Sequence, residues 1–287
     1  MAIFKINSRF SKIDSCALTI EDFKSLFKLL NDKVNEAYKH EADEPKTFEN
    51  VPKEEVEKFK ERIKQNFRLG VLVIGTKGEN LAGDDDSIFD DENFPNNISE
   101  ITFDSSYYFK YMTGREPMNK LIVQLDFKKQ NIFDFSNPIT APMRNESSIT
   151  VRGMNDTWVN GVYSKIIDFF KGKKKNRNWL HKKYIYDLFL YLLLWPATFW
   201  CIYRVSSLLQ GKINIIPLIA ICLYVSILLF YILRILFNYT GWIFPLVEFT
   251  TKSGTKMNKH KAVLSVLLIV FFGIISNLIA DIIKSIF

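Results

Sequence analysis

The chain has 287 residues, a formal net charge of +7 and 48% hydrophobic residues, with three cysteines and three histidines. Two of the cysteines, Cys201 and Cys222, fall inside apolar runs, so the polar part of the chain has only Cys16. That excludes a disulfide framework and a zinc site of ordinary Cys/His spacing. The mean hydropathy of +0.01 and pI near 9.1 average two different materials, charged sequence before residue 184 and apolar bulk after it.

The N-terminus lacks the 7–15-residue apolar stretch of a cleaved signal, so none is expected. A short strand over "AIFKI" (2–6) opens the pattern. Thr19 then precedes an apolar repeat of Phe23, Leu26, Leu30, Val34 and Ala37 at helical spacing, with Asp22 three residues after the cap. Pro52 and the acids after it start a second helix. From residue 69 the period changes to that of strands, at 69–76, 100–104, 120–127 and 147–153, with a short helix over 105–114 between two of them. The three glycines of "IGTKGENLAG" have the wrong spacing for a phosphate loop, and a hairpin turn at Lys77–Gly78 accounts for them. Asn155 begins an amphipathic helix with Trp158, Val162, Ile166 and Phe169/Phe170 on its apolar face. These elements predict an α+β cytoplasmic domain over residues 1–170, a small mixed sheet with flanking helices.

Residues 171–183 form a basic juxtamembrane linker with seven Lys/Arg. Gly172 alone interrupts the preceding helix, which predicts a nearly continuous helix from domain to membrane. Residues 184–287 read as an all-α membrane module of three transmembrane helices, at 184–204, 213–237 and 262–283. Each run is close to the ~20 apolar residues that cross a bilayer. Four lysines in the 238–261 loop join the seven of the linker, against Arg204, Lys212 and Lys284 on the other side. The excess puts the N-terminal domain in the cytoplasm, in a bacterial inner membrane or equivalent, with the C-terminus opposite. In that setting Lys173, Lys174, Lys175, Arg177, Trp179, Lys182 and Lys183 contact the membrane surface and its anionic headgroups. Orientation explains the charge better than nucleic-acid binding does. Trp242 and Phe244 are expected as headgroup anchors, the alternative being a re-entrant 241–249 segment. Ser265, Gly273, Ser276 and Ala280 share one face of the third span, where small residues let helices pack closely; the contact lies within the chain or in a homo-oligomer.

Chemistry is sparsely marked. Asp104 on one strand with Asp126 and Lys128 on the next has the composition of a two-acid, one-lysine nuclease centre, where the acids hold a metal and the lysine orients water. The segment "GDDDSIFDDENF" (83–94) reads as a flexible acidic loop, with Asp84, Asp86 and Asp90 as candidate cation ligands; Ile88 stands where a calcium loop needs an oxygen. Trp158 and the aromatics of "SSYYFKYM" are candidates for stacking on bases. No cofactor motif is present and none is expected. The sequence therefore favours a non-enzymatic, membrane-anchored sensor, effector or interaction protein. Its cytoplasmic domain would bind a small ligand or a protein partner, and its spans would transmit or execute the response by oligomerisation or membrane disruption. A membrane-tethered metal-dependent hydrolase using Asp104 and Asp126–Lys128 is the alternative. The layout is similar in plan to bacterial immunity effectors that join a cytoplasmic sensor to a membrane-disrupting bundle, although no motif names a family.

Overall fold

The computed structural model describes residues 6–42, 52–129, 131–133, 145–181, 183–209, 211–250, 259–267 and the single positions 269, 273, 276, 277 and 280. The chain divides into two compact units. Unit 1 comprises Met1–Lys128, Asn145–Asn176 and Leu246–Thr251, and unit 2 comprises Lys129–Arg144, Arg177–Pro245 and Lys252–Phe287.

Unit 1 is built on a six-stranded sheet. Its strands are β1 (Asn7–Lys12), β3 (Gly70–Gly75), β4 (Asn80–Gly83), β5 (Ile98–Asp104), β6 (Lys120–Asp126) and β7 (Ser148–Gly153), in the order β1-β7-β6-β5-β3-β4. Every pairing is antiparallel, which corrects the expected mixed sheet. The β3–β4 link is a tight turn, and the β5–β6 link holds only the short α3 (Tyr107–Thr113). Neither resembles the long crossover that parallel neighbours require. At the β3–β4 turn Gly78 has φ +88°, a conformation that a side chain disfavours. The first strand starts at Asn7; residues 2–5 of the expected strand lie outside the described residues.

One sheet face forms the core. Val71, Val73, Ile101, Phe103, Leu121, Val123, Leu125, Ile149 and Val151 alternate along their strands and are all buried. They are covered by α1 (Ile20–Ala42) and α4 (Asp156–Gly172), whose helical stripes belong to the same cluster. A capping box starts α1. The Thr19 amide donates to the Asp22 carboxylate at 2.9 Å, and the Asp22 amide donates to the Thr19 hydroxyl at 3.3 Å. Asn155 caps α4 by accepting from the Trp158 amide at 3.1 Å. A second exposed helix, α2, runs over Lys53–Asn66. The acidic segment is folded rather than a flexible loop. A 3-10 turn over Asp86–Asp90 buries Ile88 and Phe89, and the Phe89 ring lies 5.9 Å from that of Phe23. Six acids thus surround an apolar plug, and burial of two large side chains outweighs the solvation that would keep the segment loose.

In unit 2 the three-span, all-α module is not met. Among the described residues one helix, α7 (Ile215–Ile243), is long and apolar enough to cross a membrane. The first expected span is divided into α5 (Lys183–Phe189), a π-helical turn (Leu190–Leu194) and α6 (Trp195–Leu209). Pro196 supplies the physical reason. It has no N–H for the carbonyl four residues back, and its ring crowds that turn, so the register widens just before it. Residues 259–267 are helical, and most of the third expected span, 262–283, lies outside the described residues.

Phe23 is fully buried at the centre of unit 1, within 5.9 Å of Phe89 and of Phe127. Phe23→Ala is expected to cost about 3–5 kcal/mol in denaturant unfolding of the full chain. Leu72→Ala, on the half-open sheet face at 39% exposure, is expected to cost less than ~1 kcal/mol.

Candidate functional site

The acids and lysine of the nuclease-like pattern are not brought together. In the antiparallel β5–β6 pair Asp104 faces Ile122, whereas Asp126 faces Glu100. Four residues of strand separate the two carboxylates along the ladder, about 13 Å at ~3.3 Å per residue. Each acid has a local task instead. Asp104 accepts from the Ser106 amide at 2.7 Å and its hydroxyl at 2.6 Å, turning the chain into α3. Asp126 accepts from the amides of Lys128, at 3.0 Å, and Glu146, at 3.3 Å. The Lys128 ammonium lies 3.4 Å from Glu100.

The acidic candidates also have partners. Asp84 pairs with Arg68 at 2.7 Å, Asp86 with Lys28 at 3.4 Å and Asp90 with Lys24 at 2.7 Å. Among the described residues no group of three or more His, Cys, Asp or Glu is arranged to hold a metal ion. Trp158 is buried in the core, whereas Tyr107 and Tyr111 are exposed.

What the structure does bring together is a small parallel pair in unit 1. β2 (Cys16–Leu18) pairs with β8 (Val247–Phe249), and only three residues separate the end of α7 from β8. The Cys16 amide donates to the Leu246 carbonyl at 3.0 Å, and the Thr250 amide to the Leu18 carbonyl at 2.8 Å. The other edge of β2 takes the segment after α4. Lys174 bridges Cys16, the Ala17 amide donates to the Lys173 carbonyl at 3.3 Å, and the Lys175 amide to the Ser15 carbonyl at 2.8 Å. A three-residue strand therefore holds both the chain leaving α4 and the chain returning after α7. Phe249 completes the join, its ring 5.5 Å from Phe23 and 6.3 Å from Phe127.

This pairing corrects one expectation and places residues 247–249 in a strand. The α4 helix does not run on through the basic block; it ends at Gly172, and residues 173–175 extend along β2. Of the 241–249 segment, residues 247–249 form β8 and pair with β2. Pro245 ends α7 by pushing Phe244 out of helical geometry, and the chain enters β8. In unit 2 the Trp242 ring stacks on Tyr239 and has the Lys129 ammonium 4.8 Å from its centroid, and Phe244 has Arg177 at 5.7 Å.

The lysines expected at the membrane surface are partly engaged within unit 1. Lys173 pairs with Asp22 at 2.7 Å and Lys174 with Asp14 at 3.1 Å. Burial works against ionisation of Asp22. The hydrogen bonds from Lys173 and Thr19 and the Lys173 charge outweigh it and hold the carboxyl below its ordinary range. Burial, with Asp14 and Asp22 nearby, pushes the Cys16 thiol up to about 12, so it is an inert packing group. Trp179 is exposed. Lys182, and the side chain of Lys183, lie outside the described residues. Ser265 is exposed, its hydroxyl donating to the Lys261 carbonyl at 3.0 Å, and Gly273, Ser276 and Ala280 are exposed too.

In unit 2 a 3-10 turn over Asn178–His181 is held by His181, whose Nε2 lies 2.7 Å from the Phe244 carbonyl. A carbonyl only accepts, so Nε2 carries the proton. Burial lowers the pKa of His181 and the Arg177 charge adds to this, against the Phe244 bond, which raises it. The ring is therefore neutral at pH 7.

Sequence reasoning missed β2 and β8, which are too short to carry a period, and Arg234, the one charge inside the 213–237 run. The arginine was legible as an ionisable residue in an apolar helix. No family model matches the chain, and comparisons with curated proteins and with solved structures gave no match.

Two outcomes are expected. Phe249→Ala should destabilise unit 1 by about 2 kcal/mol and speed amide exchange at Cys16 and Thr250, read by hydrogen-exchange mass spectrometry. His181 protonates more readily in the unfolded chain, so its contribution to stability is present above about pH 6.5 and is lost as the pH falls below that value toward its folded pKa. The unfolding midpoint in detergent should fall from pH 7.5 to pH 5, less steeply in His181→Gln.

Proposed function

We propose that this chain is a membrane-anchored sensor or effector, non-enzymatic, in which unit 1 binds a ligand or protein partner and α7 carries the response in the bilayer. What supports the reading is β8. A strand separated by only three residues from an apolar, membrane-length helix is hydrogen-bonded into unit 1 beside the exit of α4. Any event that repacks α1 or α4 against β2 pulls on the backbone that continues into α7. Hydrogen bonds on both edges of β2 fix β8 within unit 1.

The direction of α7 follows from flanking charge. Lys/Arg concentrate in residues 171–183 and 252–261, so unit 1 lies on the cytoplasmic side of the membrane that holds α7. Exposed lysines of the basic segment add attraction to anionic headgroups, on the order of 1 kcal/mol each near the surface. Association with a second copy or a protein partner completes the response.

The test is membrane attachment of the full chain. Leu223 and Ile227 lie in the middle of the exposed part of α7, at 60% and 55% exposure, and unit 1 does not include them. The wild type is expected to float with phospholipid vesicles and to resist carbonate extraction. Leu223→Arg with Ile227→Arg adds on the order of 5–7 kcal/mol to insertion and should abolish both, with amide protection of unit 1 intact. A wild type that stays at the bottom of the gradient removes the reading.

A further inference from the structure

The α7 helix changes character at residue 233. No residue of 215–232 is buried and none is charged, whereas Leu233, Arg234, Phe237, Asn238, Gly241 and Ile243 are buried. Arg234 stands on this buried face. It is only 1% exposed, and its Nε, Nη1 and Nη2 have no hydrogen-bond partner among the described residues. Its described contact is with the Tyr186 ring of α5, 4.8 Å from guanidinium carbon to centroid. The same ring packs 4.7 Å from that of Phe237.

A guanidinium keeps its charge at every accessible pH and presents five N–H donors along its edges. The Tyr186 ring lies against the guanidinium carbon, and none of the three nitrogens has a hydrogen-bond partner among the described residues. Buried charges are normally paired and buried donors normally bonded, so a bare guanidinium calls for a planar, bidentate oxyanion, either carboxylate or phosphate. Asn238, one turn further on, does not compete for that ligand; its side-chain amide donates to the Ile132 carbonyl at 3.1 Å.

Position selects between the two oxyanions. The exposed apolar stretch 215–232 covers about 27 Å at 1.5 Å per residue, close to the ~30 Å of a hydrocarbon core. Arg234 follows two residues later, at the depth of the lipid phosphates, where arginine side chains reach toward the interface. We propose that Arg234 anchors a binding site for a phosphate oxyanion at the membrane boundary, presented by a lipid headgroup. The site rests on the membrane reading above. Binding swings the guanidinium off the Tyr186 ring by a side-chain rotation, and so trades the ring contact with α5 for hydrogen bonds to the ligand. Lipid phosphate thereby controls the packing of α5 against the buried end of α7.

The experiment uses the full chain in a maltoside detergent, which has no phosphate, and follows thermal unfolding. The probes are a short-chain phosphatidylglycerol, a diacylglycerol with the same chains, and inorganic phosphate. Phosphatidylglycerol near saturation is expected to raise the wild-type midpoint by roughly 5 °C, and the diacylglycerol to leave it unchanged. Arg234→Gln loses the rise, and Arg234→Lys keeps part of it. Without any probe Arg234→Met unfolds at or above the wild-type midpoint, because it removes an unpaired buried charge. An equal rise with inorganic phosphate keeps the site and assigns it a soluble ligand. An equal response to diacylglycerol, a full response in Arg234→Gln, or a lower probe-free midpoint for Arg234→Met overturns the proposal. Vesicle flotation separates the two readings. If the wild type does not float and the phosphate response persists, membrane attachment fails and the phosphate site stands.

Discussion

The three residues of β2 are hydrogen-bonded along both edges, and the arrangement of unit 1 around the chain's departures to α7 depends on that pairing. One edge takes residues 173–175 after α4, the other takes β8 after α7. Such a short pair is weak by itself, since an isolated two-stranded unit is marginal in water. It holds because its side chains belong to the core. Cys16, Leu18 and Val247 are buried, and Phe249 stacks on Phe23, which α1 places at the centre of unit 1. The backbone bonds set register and the aromatic cluster supplies the energy.

The α1 helix is therefore more than a cover for the sheet. Its first turn places Asp22 where it both closes the capping box with Thr19 and receives Lys173. One carboxylate thus fixes the start of α1 and the stretch that follows α4. Acid in the first turn also suits the positive end of the helix. The geometry explains why Lys173 of the basic block is not offered wholly to solvent: it is matched to an acid that is itself largely enclosed.

Much of unit 1 was legible in the sequence because its signals are local. The Thr19–Asp22 cap, the Phe23-to-Ala37 stripe, the strands near 69–76, 100–104, 120–127 and 147–153, and the Asn155 cap all rest on residues a few positions apart. What was not legible depends on distance. β2 and β8 are three residues each and more than two hundred positions apart, so neither has a period and only tertiary pairing defines them. The acidic segment looked loose because six carboxylates masked Ile88 and Phe89, whose burial decides its conformation. The first membrane run was misread from composition, which is blind to Pro196; length of apolar sequence is not length of regular helix. The Asp104–Asp126 pattern failed through topology, since antiparallel pairing sends residues that trail their strands to opposite ends of the ladder.

Charge placement gives the basic residues a division of labour. Lys173 and Lys174 each face an acid of unit 1, and a lysine held in an ion pair has less to give to a headgroup. Arg234 is the converse, a fixed charge with donors unspent and no described acid on them, set two residues past a stretch of helix with no buried side chain. Lysine suits the first task, a compact point charge tolerant of solvent, and arginine the second, a planar fork of five donors with the geometry to pair with an oxyanion. The basic block and the lone arginine thus differ in chemistry as well as position. On the proposed membrane reading the block's excess charge orients the chain, while the arginine's unmet donors are the feature able to recognise a particular chemical group.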